Sequence, residues 1–230
     1  MTVSLITGGT RGLGRETARR LIGLGHTVHV GGRDEGRGRA AADELGAHFL
    51  PLDVTDDASV AAAAADVTRR EGRLDVLVNG AGAFEGMRGA DEVTAAVMRQ
   101  VFETNVFGAV RMTHAFLPLL AVSEAPVIVN VSSVFGSFGT VTDPGRPEAR
   151  ILLPVYASSR AALNMLTVQY AKALPGLRVN AAEPGLTGTD PYGSGSGTVE
   201  EGAEVIVRLA TLGPDGPTGT FSGPDGPLPW

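Results

Sequence analysis

The stretch TGGTRGLG (7–14) follows a short apolar run, VSLIT (3–7), and opens a segment of helical character. Strand, glycine turn and helix form the context that a phosphate-binding turn requires. Glycines let the backbone turn tightly and approach a pyrophosphate, whose charge then sits among the unpaired N–H groups of the helix start. Gly8, Gly12 and Gly14 are the candidates. A glycine-rich turn of this kind can also serve packing alone, so the rest of the chain has to decide.

Six more runs rich in Val, Ile and Leu follow: HTVHVG (26–31), HFLPLD (48–53), LDVLVN (74–79), APVIVNVS (125–132), LRVNAAE (177–183) and GTFSG (219–223). Longer Ala-, Leu- and Arg-rich segments separate them. Seven strands alternating with helices predict βαβ units and one doubly wound (Rossmann) α/β fold over residues 1–230, a parallel sheet with helices on both faces. Ligands of such sheets bind outside the carboxyl ends of the strands, which makes the long loops 134–154 and 184–198 candidate walls of a site.

Composition narrows the chemistry. The chain has 230 residues, a formal charge of −6 and no cysteine, so no disulfide, thiolate metal site or cysteine nucleophile is available. The four histidines (26, 29, 48, 114) lack ligand-like spacing, and no metal is expected. The absence of a basic run argues against nucleic acid. No stretch approaches the roughly 18 apolar residues of a membrane span, and the N-terminus has no basic, cleavable leader pattern. A soluble cytoplasmic protein with a small-molecule partner is the expectation.

The end of the second strand addresses the cofactor. A free ribose 2′-hydroxyl is usually held there by an acidic side chain. The sequence reads VGGRD (30–34), with Gly32 at that position and Arg33 after it; Arg11 lies inside the glycine loop. Two guanidinium groups suit a 2′-phosphate, because their paired donors match phosphate oxygens and carry the opposite charge. NADPH is therefore expected over NADH, with Asp34 placed to offset part of the field.

TGGTRGLG (7–14), LDV (52–54), NGAG (79–82), ETNVFG (103–108), NVSS (130–133), Tyr156 and PGLTGT (184–189), in this order and spacing, resemble the short-chain dehydrogenase/reductase family from residue 3 to the closing GPDGPLPW. The resemblance implies NADP(H) held in a Rossmann-type domain, with a substrate carbonyl above the nicotinamide. By the same resemblance Thr10, Arg11 and Leu13 supply loop contacts, and Asp53 and Val54 hold the adenine. Asn79, Ala81 and Gly82 form the strand end under the cofactor, with Gly80 where the family often has a second asparagine. Pro184, Gly185, Thr187 and Thr189 line the nicotinamide. Ser133 binds the carbonyl and Tyr156 transfers the proton, while Ser132 points to the opposite face by strand alternation.

The family's lysine, four residues after the tyrosine, is Arg160 in VYASSR (155–160). A tyrosine, with an ordinary pKa near 10, transfers protons poorly at neutral pH unless its anion is stabilised, and a cation about 4–6 Å away does this. The i, i+4 spacing keeps guanidinium and phenol on one helix face. Arginine is longer and planar and does not give up a proton, so it can hold the ribose hydroxyls and the tyrosinate but cannot join a proton relay. Asn105 matches the residue whose backbone carbonyl supports that relay.

These readings predict an NADPH-dependent ketone or aldehyde reductase. The alternatives are an NADPH-binding protein without turnover and a redox-neutral reaction such as epimerisation. The inserted PGRPEARILLP (144–154) resembles insertions of carbonyl-reductase-like members and weakens the family expectation of a tetramer built through 98–121 and 155–174. A homodimer and a monomer both stay open. DPYGSGSGT (190–198) is expected to be a mobile lid, and Phe84, Phe135, Phe138, Leu152 and Tyr192 an apolar lining.

Overall fold

A computed structural model describes residues 1–185 and 197–230 of the chain. The strands are β1 (Val3–Thr7), β2 (Thr27–Gly32), β3 (His48–Pro51), β4 (Val76–Asn79), β5 (Val127–Val131), β6 (Arg178–Ala182), β7 (Phe221–Gly223) and β8 (Gly226–Pro227), in the order β3-β2-β1-β4-β5-β6-β7-β8. All pairings are parallel except β7 with β8. The seven expected strands thus become eight. The addition is a two-residue antiparallel strand in GPDGPLPW, too short and too rich in proline to show an apolar pattern.

The helices are α1 (Gly12–Gly23), α2 (Glu35–Leu45), α3 (Asp57–Glu71), α4 (Ala95–Phe102), α5 (Gly108–Leu120), α6 (Phe138–Val141), α7 (Pro154–Ala173) and α8 (Val199–Ala210), with a π-helical turn, Glu103–Phe107, joining α4 to α5. β1 and β4 are buried throughout because helices cover both faces of the sheet. Period-two alternation assigns Leu5, Leu77, Ile128 and Val179 to one core, with Val60, Val67, Met112 and Phe116 of α3 and α5. Ile6, Val30, Val78 and Val129 face the other, with Leu21 of α1 and Val205 and Leu209 of α8. The same residues form rows across adjacent strands, since Ile6 is in register with Val30 and Val78, and Val78 with Val129.

Chain order reverses between β1 and β4, so the loops after these strands part and leave a crevice at their carboxyl ends. Among the described residues no helix is long and apolar enough to cross a membrane, and no group of three or more His, Asp or Glu side chains could hold a metal.

The helix at this crevice is braced by charge. Glu16 Oε1 lies 2.7 Å from Arg19 Nη2 and 2.8 Å from Arg20 Nε. The hydrogen bond from Arg19, with that from Arg20, outweighs burial and lowers the carboxyl from its ordinary 4.5 to about 2. A depressed carboxyl contributes stability above its unfolded value and loses it as pH falls towards the folded one. Glu16→Gln is therefore expected to cost about 1 kcal/mol at neutral pH. The gap from wild type should close between pH 4.5 and about 2, as read by denaturant melts across that range.

Candidate active site

The glycine loop lies at the crevice because its backbone does what side-chain-bearing residues resist. Gly8 has φ +69°, and a Cβ on Gly14 would come within 2.4 Å of the Gly8 carbonyl oxygen. The helix that follows begins at Arg11 with no side-chain cap, whereas α2 and α3 are capped by Asp34 and Asp56. The first N–H groups of α1 are thus left without a capping side chain and with no acidic residue in the first turn, as an anion requires.

A cleft of about 560 Å³ brings together Gly8, Thr10, Arg11, Gly12, Leu13, Gly14, Arg33, Asp53, Val54, Ala81 and Gly82. Thr7 anchors its floor, because its hydroxyl accepts from the N–H groups of Gly80 and Ala81, each at 3.0 Å. Asp53 accepts from the Thr55 N–H (2.9 Å) and hydroxyl (2.8 Å). Burial works against its charge, but these bonds and nearby Arg33 prevail, and the carboxyl titrates below its ordinary value. The glycine cradle, the uncapped helix start and the acidic group beyond β3 together fit a dinucleotide.

Arg11 and Arg33 are exposed at one end of the cleft, and neither forms an ion pair with a described residue. Asp34 does not pair with Arg33: its carboxylate caps α2 through the Arg37 N–H (2.9 Å) and holds Arg37 Nε at 2.7 Å. Arg37 also lines the cleft, a contribution the sequence pattern did not mark. Gly32 has little room for a side chain, since its Cβ would meet Thr10 Cγ2 at 2.8 Å.

Asn79 ends β4. Its amide turns into the core and donates to Asn130 Oδ1 (2.8 Å), and Asn130 donates to Thr167 of α7 (2.8 Å). It thus ties β4 to β5 and α7, while Gly80, next in the chain, lines the cleft. Pro184 and Gly185 line a neighbouring cavity of about 620 Å³ with Val134 and Glu183. Thr187, Thr189, Tyr192 and most of the expected lid lie outside the described residues.

Tyr156 is in the first turn of α7, where Pro154 occupies a position that needs no N–H. Its ring meets Phe84 edge-on at 5.7 Å, and Arg160 Cζ sits 4.9 Å from its centroid, within cation–π range. Arg160 is 7% exposed; its Nη1 donates to the Val131 carbonyl at 3.1 Å. Nη2 lies against Gly82, where an added Cβ would come within 2.7 Å of it. The guanidinium therefore lies between the tyrosine ring, the end of β5 and the cofactor cleft.

Ser133 follows β5 and is held close to this helix. Ser132 donates to Asn164 Oδ1 (2.5 Å) and Asn164 Nδ2 donates to the Gly136 carbonyl (3.1 Å), so Asn164 of α7 grips both sides of the Ser133 turn. Gly136 packs so closely that a Cβ would lie 2.5 Å from the Arg160 carbonyl carbon. Ser133 Oγ accepts a long 3.4 Å bond from the Phe135 N–H.

Asn105 sits in the π-helical turn, buried, where the Gly108 N–H reaches back five residues to the Glu103 carbonyl. Its side chain accepts from Ala83 N–H (2.7 Å) and donates to the Ala83 carbonyl and to Ser159 Oγ, both at 3.0 Å. Ser159 in turn donates to the Tyr156 carbonyl at 2.7 Å. This chain fixes the start of α7 against the loop after β4; Ser159 lies within VYASSR, but no local pattern signals its role. Of the expected apolar lining, Phe135 is buried and Phe138 and Leu152 are each 72% exposed.

The sequence model of the short chain dehydrogenase family matches residues 2–194. The chain belongs to this family of oxidoreductases. A short-chain dehydrogenase of Penicillium roqueforti is 38% identical over 224 residues, covering 91% of this chain and 88% of its own. Salutaridine reductase of Papaver bracteatum is 31% identical, covering 96% and 94%. The crystal structure of an NADPH-bound carbonyl reductase from chicken fatty liver superposes with a TM-score of 0.87 at 28% identity, covering the whole of both chains. Short-chain dehydrogenases bind a nicotinamide cofactor, which accounts for the dinucleotide character of the cleft.

Proposed function

We propose that the chain is an NADPH-dependent reductase of ketones or aldehydes. The observation that carries the reading is the convergence of Tyr156, Arg160 and the Ser133 turn beside the end of the cleft, with the guanidinium 4.9 Å from the tyrosine ring. The bound nicotinamide supplies the hydride. Ser133 donates to the substrate carbonyl oxygen and orients it; Tyr156 gives that oxygen its proton. Arg160 favours the tyrosinate left behind, and Asn105, through Ser159, holds the helix start that carries the phenol. Reprotonation of Tyr156 comes from solvent or a ribose hydroxyl, since a guanidinium yields no proton.

Arg11 and Arg33 favour a 2′-phosphate, and Gly32 provides no acid for a free 2′-hydroxyl. The test is oxidation of NADPH and NADH with aliphatic, aromatic and polycyclic carbonyls. NADPH is expected to bind tighter, and Arg33→Ala to weaken it about 10- to 100-fold while leaving NADH within a few-fold, the range for losing a charge-assisted phosphate contact. Equal affinity for the two cofactors in wild type refutes the preference. A second reading, NADPH binding without turnover, draws on the Arg160 Nη1 bond to Val131, which engages part of the group the family uses as lysine.

A further inference from the structure

β5 and β6 separate where the site begins. Their last ladder bond runs from Ser132 N–H to the Ala182 carbonyl (2.7 Å). Beyond it β5 turns at Ser133 into the Val134–Gly136 helical turn, and β6 reaches Pro184, which has no N–H to donate. Glu183 stands at the fork, 6% exposed. One carboxylate oxygen accepts the N–H of Val134, the residue directly after Ser133, and the other accepts the Gly185 N–H at 2.8 Å. The Glu183 N–H itself donates to the Ser222 carbonyl of β7 (2.8 Å), which fixes the residue in the sheet.

A buried carboxylate is costly unless hydrogen-bonded, and an ionised one only accepts, which matches two converging N–H donors. We infer that Glu183 is a positioning residue that locks the Ser133 turn to the Pro184–Gly185 turn, holding the carbonyl-orienting hydroxyl and the segment assigned to the nicotinamide as one unit. The inference rests on the reductase reading, because it gives Ser133 its role. Glutamine keeps the shape of Glu183 but opposes an NH₂ to one of the two N–H groups, so Glu183→Gln breaks one side of the lock with little change in volume.

Two measurements test it. In the cofactor-free protein, amide exchange of peptides spanning Val134 and Gly185 is expected to rise about tenfold in Glu183→Gln, with α1 and α3 unchanged. In turnover, kcat is expected to fall about 10- to 100-fold, as for a misplaced reacting group, with a smaller change in the KM for NADPH. In a Ser133→Ala background the same substitution is expected to change kcat by less than about twofold, because two residues acting as a unit are not additive. Unchanged exchange overturns the lock, and an additive kcat effect reduces Glu183 to a structural role. If Ser133→Ala alone leaves kcat intact, the carbonyl-reduction reading fails and the positioning role with it. Should Glu183→Gln not fold, Glu183→Asp keeps the charge but not the reach and is expected to show the same non-additivity.

Discussion

Tyr156→Phe is expected to reduce carbonyl turnover by roughly 10²–10⁴-fold, the usual contribution of a positioned proton donor, while leaving the fold and NADPH affinity in place. The expectation follows from how the ring is held. Its edge-on contact with Phe84 at 5.7 Å and the Arg160 guanidinium 4.9 Å from its centroid involve the aromatic ring, which phenylalanine keeps. The helix start is fixed by Pro154 and by the Ser159 bond to the residue-156 carbonyl, neither of which needs the hydroxyl. The substitution thus removes the proton source and keeps these ring and helix contacts. kcat, NADPH dissociation constant and melting temperature measured on the two proteins check it; a kcat within about threefold of wild type, against that range, removes Tyr156 as the donor.

The features legible in the sequence are those written in local period or in turn chemistry. VSLIT coincides with β1, and LDVLVN and APVIVNVS each enclose a strand, because both faces of these strands are buried and the apolar run is unbroken. The glycine loop was readable because positive φ and close approach leave no other residue type comfortable at Gly8 and Gly14. Partners distant in sequence were not readable. Asn79 looks like a cofactor residue from its motif; that its amide donates to Asn130 and Asn130 to Thr167, tying neighbouring strands to a crossing helix, has no local signal. Asp34 reads as a neighbour of Arg33 but begins α2, where capping and Arg37 claim it. Glu183 carries no local signal, since its importance lies in where β5 and β6 part.

Arg160→Met is expected to lower the rate at neutral pH about tenfold or more, as for the loss of a fixed charge beside the reacting groups. The guanidinium is buried over the tyrosine ring, its Cζ 4.9 Å from the centroid, where the proposed reading has it support the proton donor. Methionine fills much of the arginine stem, so the packing against Gly136 is largely kept and the change reports charge rather than a cavity. Arg160→Lys separates charge from shape. Lysine cannot reproduce the planar contact with the tyrosine ring, but it restores a cation that can exchange a proton. If arginine works through its charge, the lysine variant keeps at least wild-type turnover, while the methionine variant does not. Equal rates in wild type and Arg160→Met would mean that the guanidinium serves the ring and the Val131 carbonyl as a structural group. Turnover gained only in Arg160→Lys would make the native chain an NADPH binder whose fold still holds the geometry of a reductase.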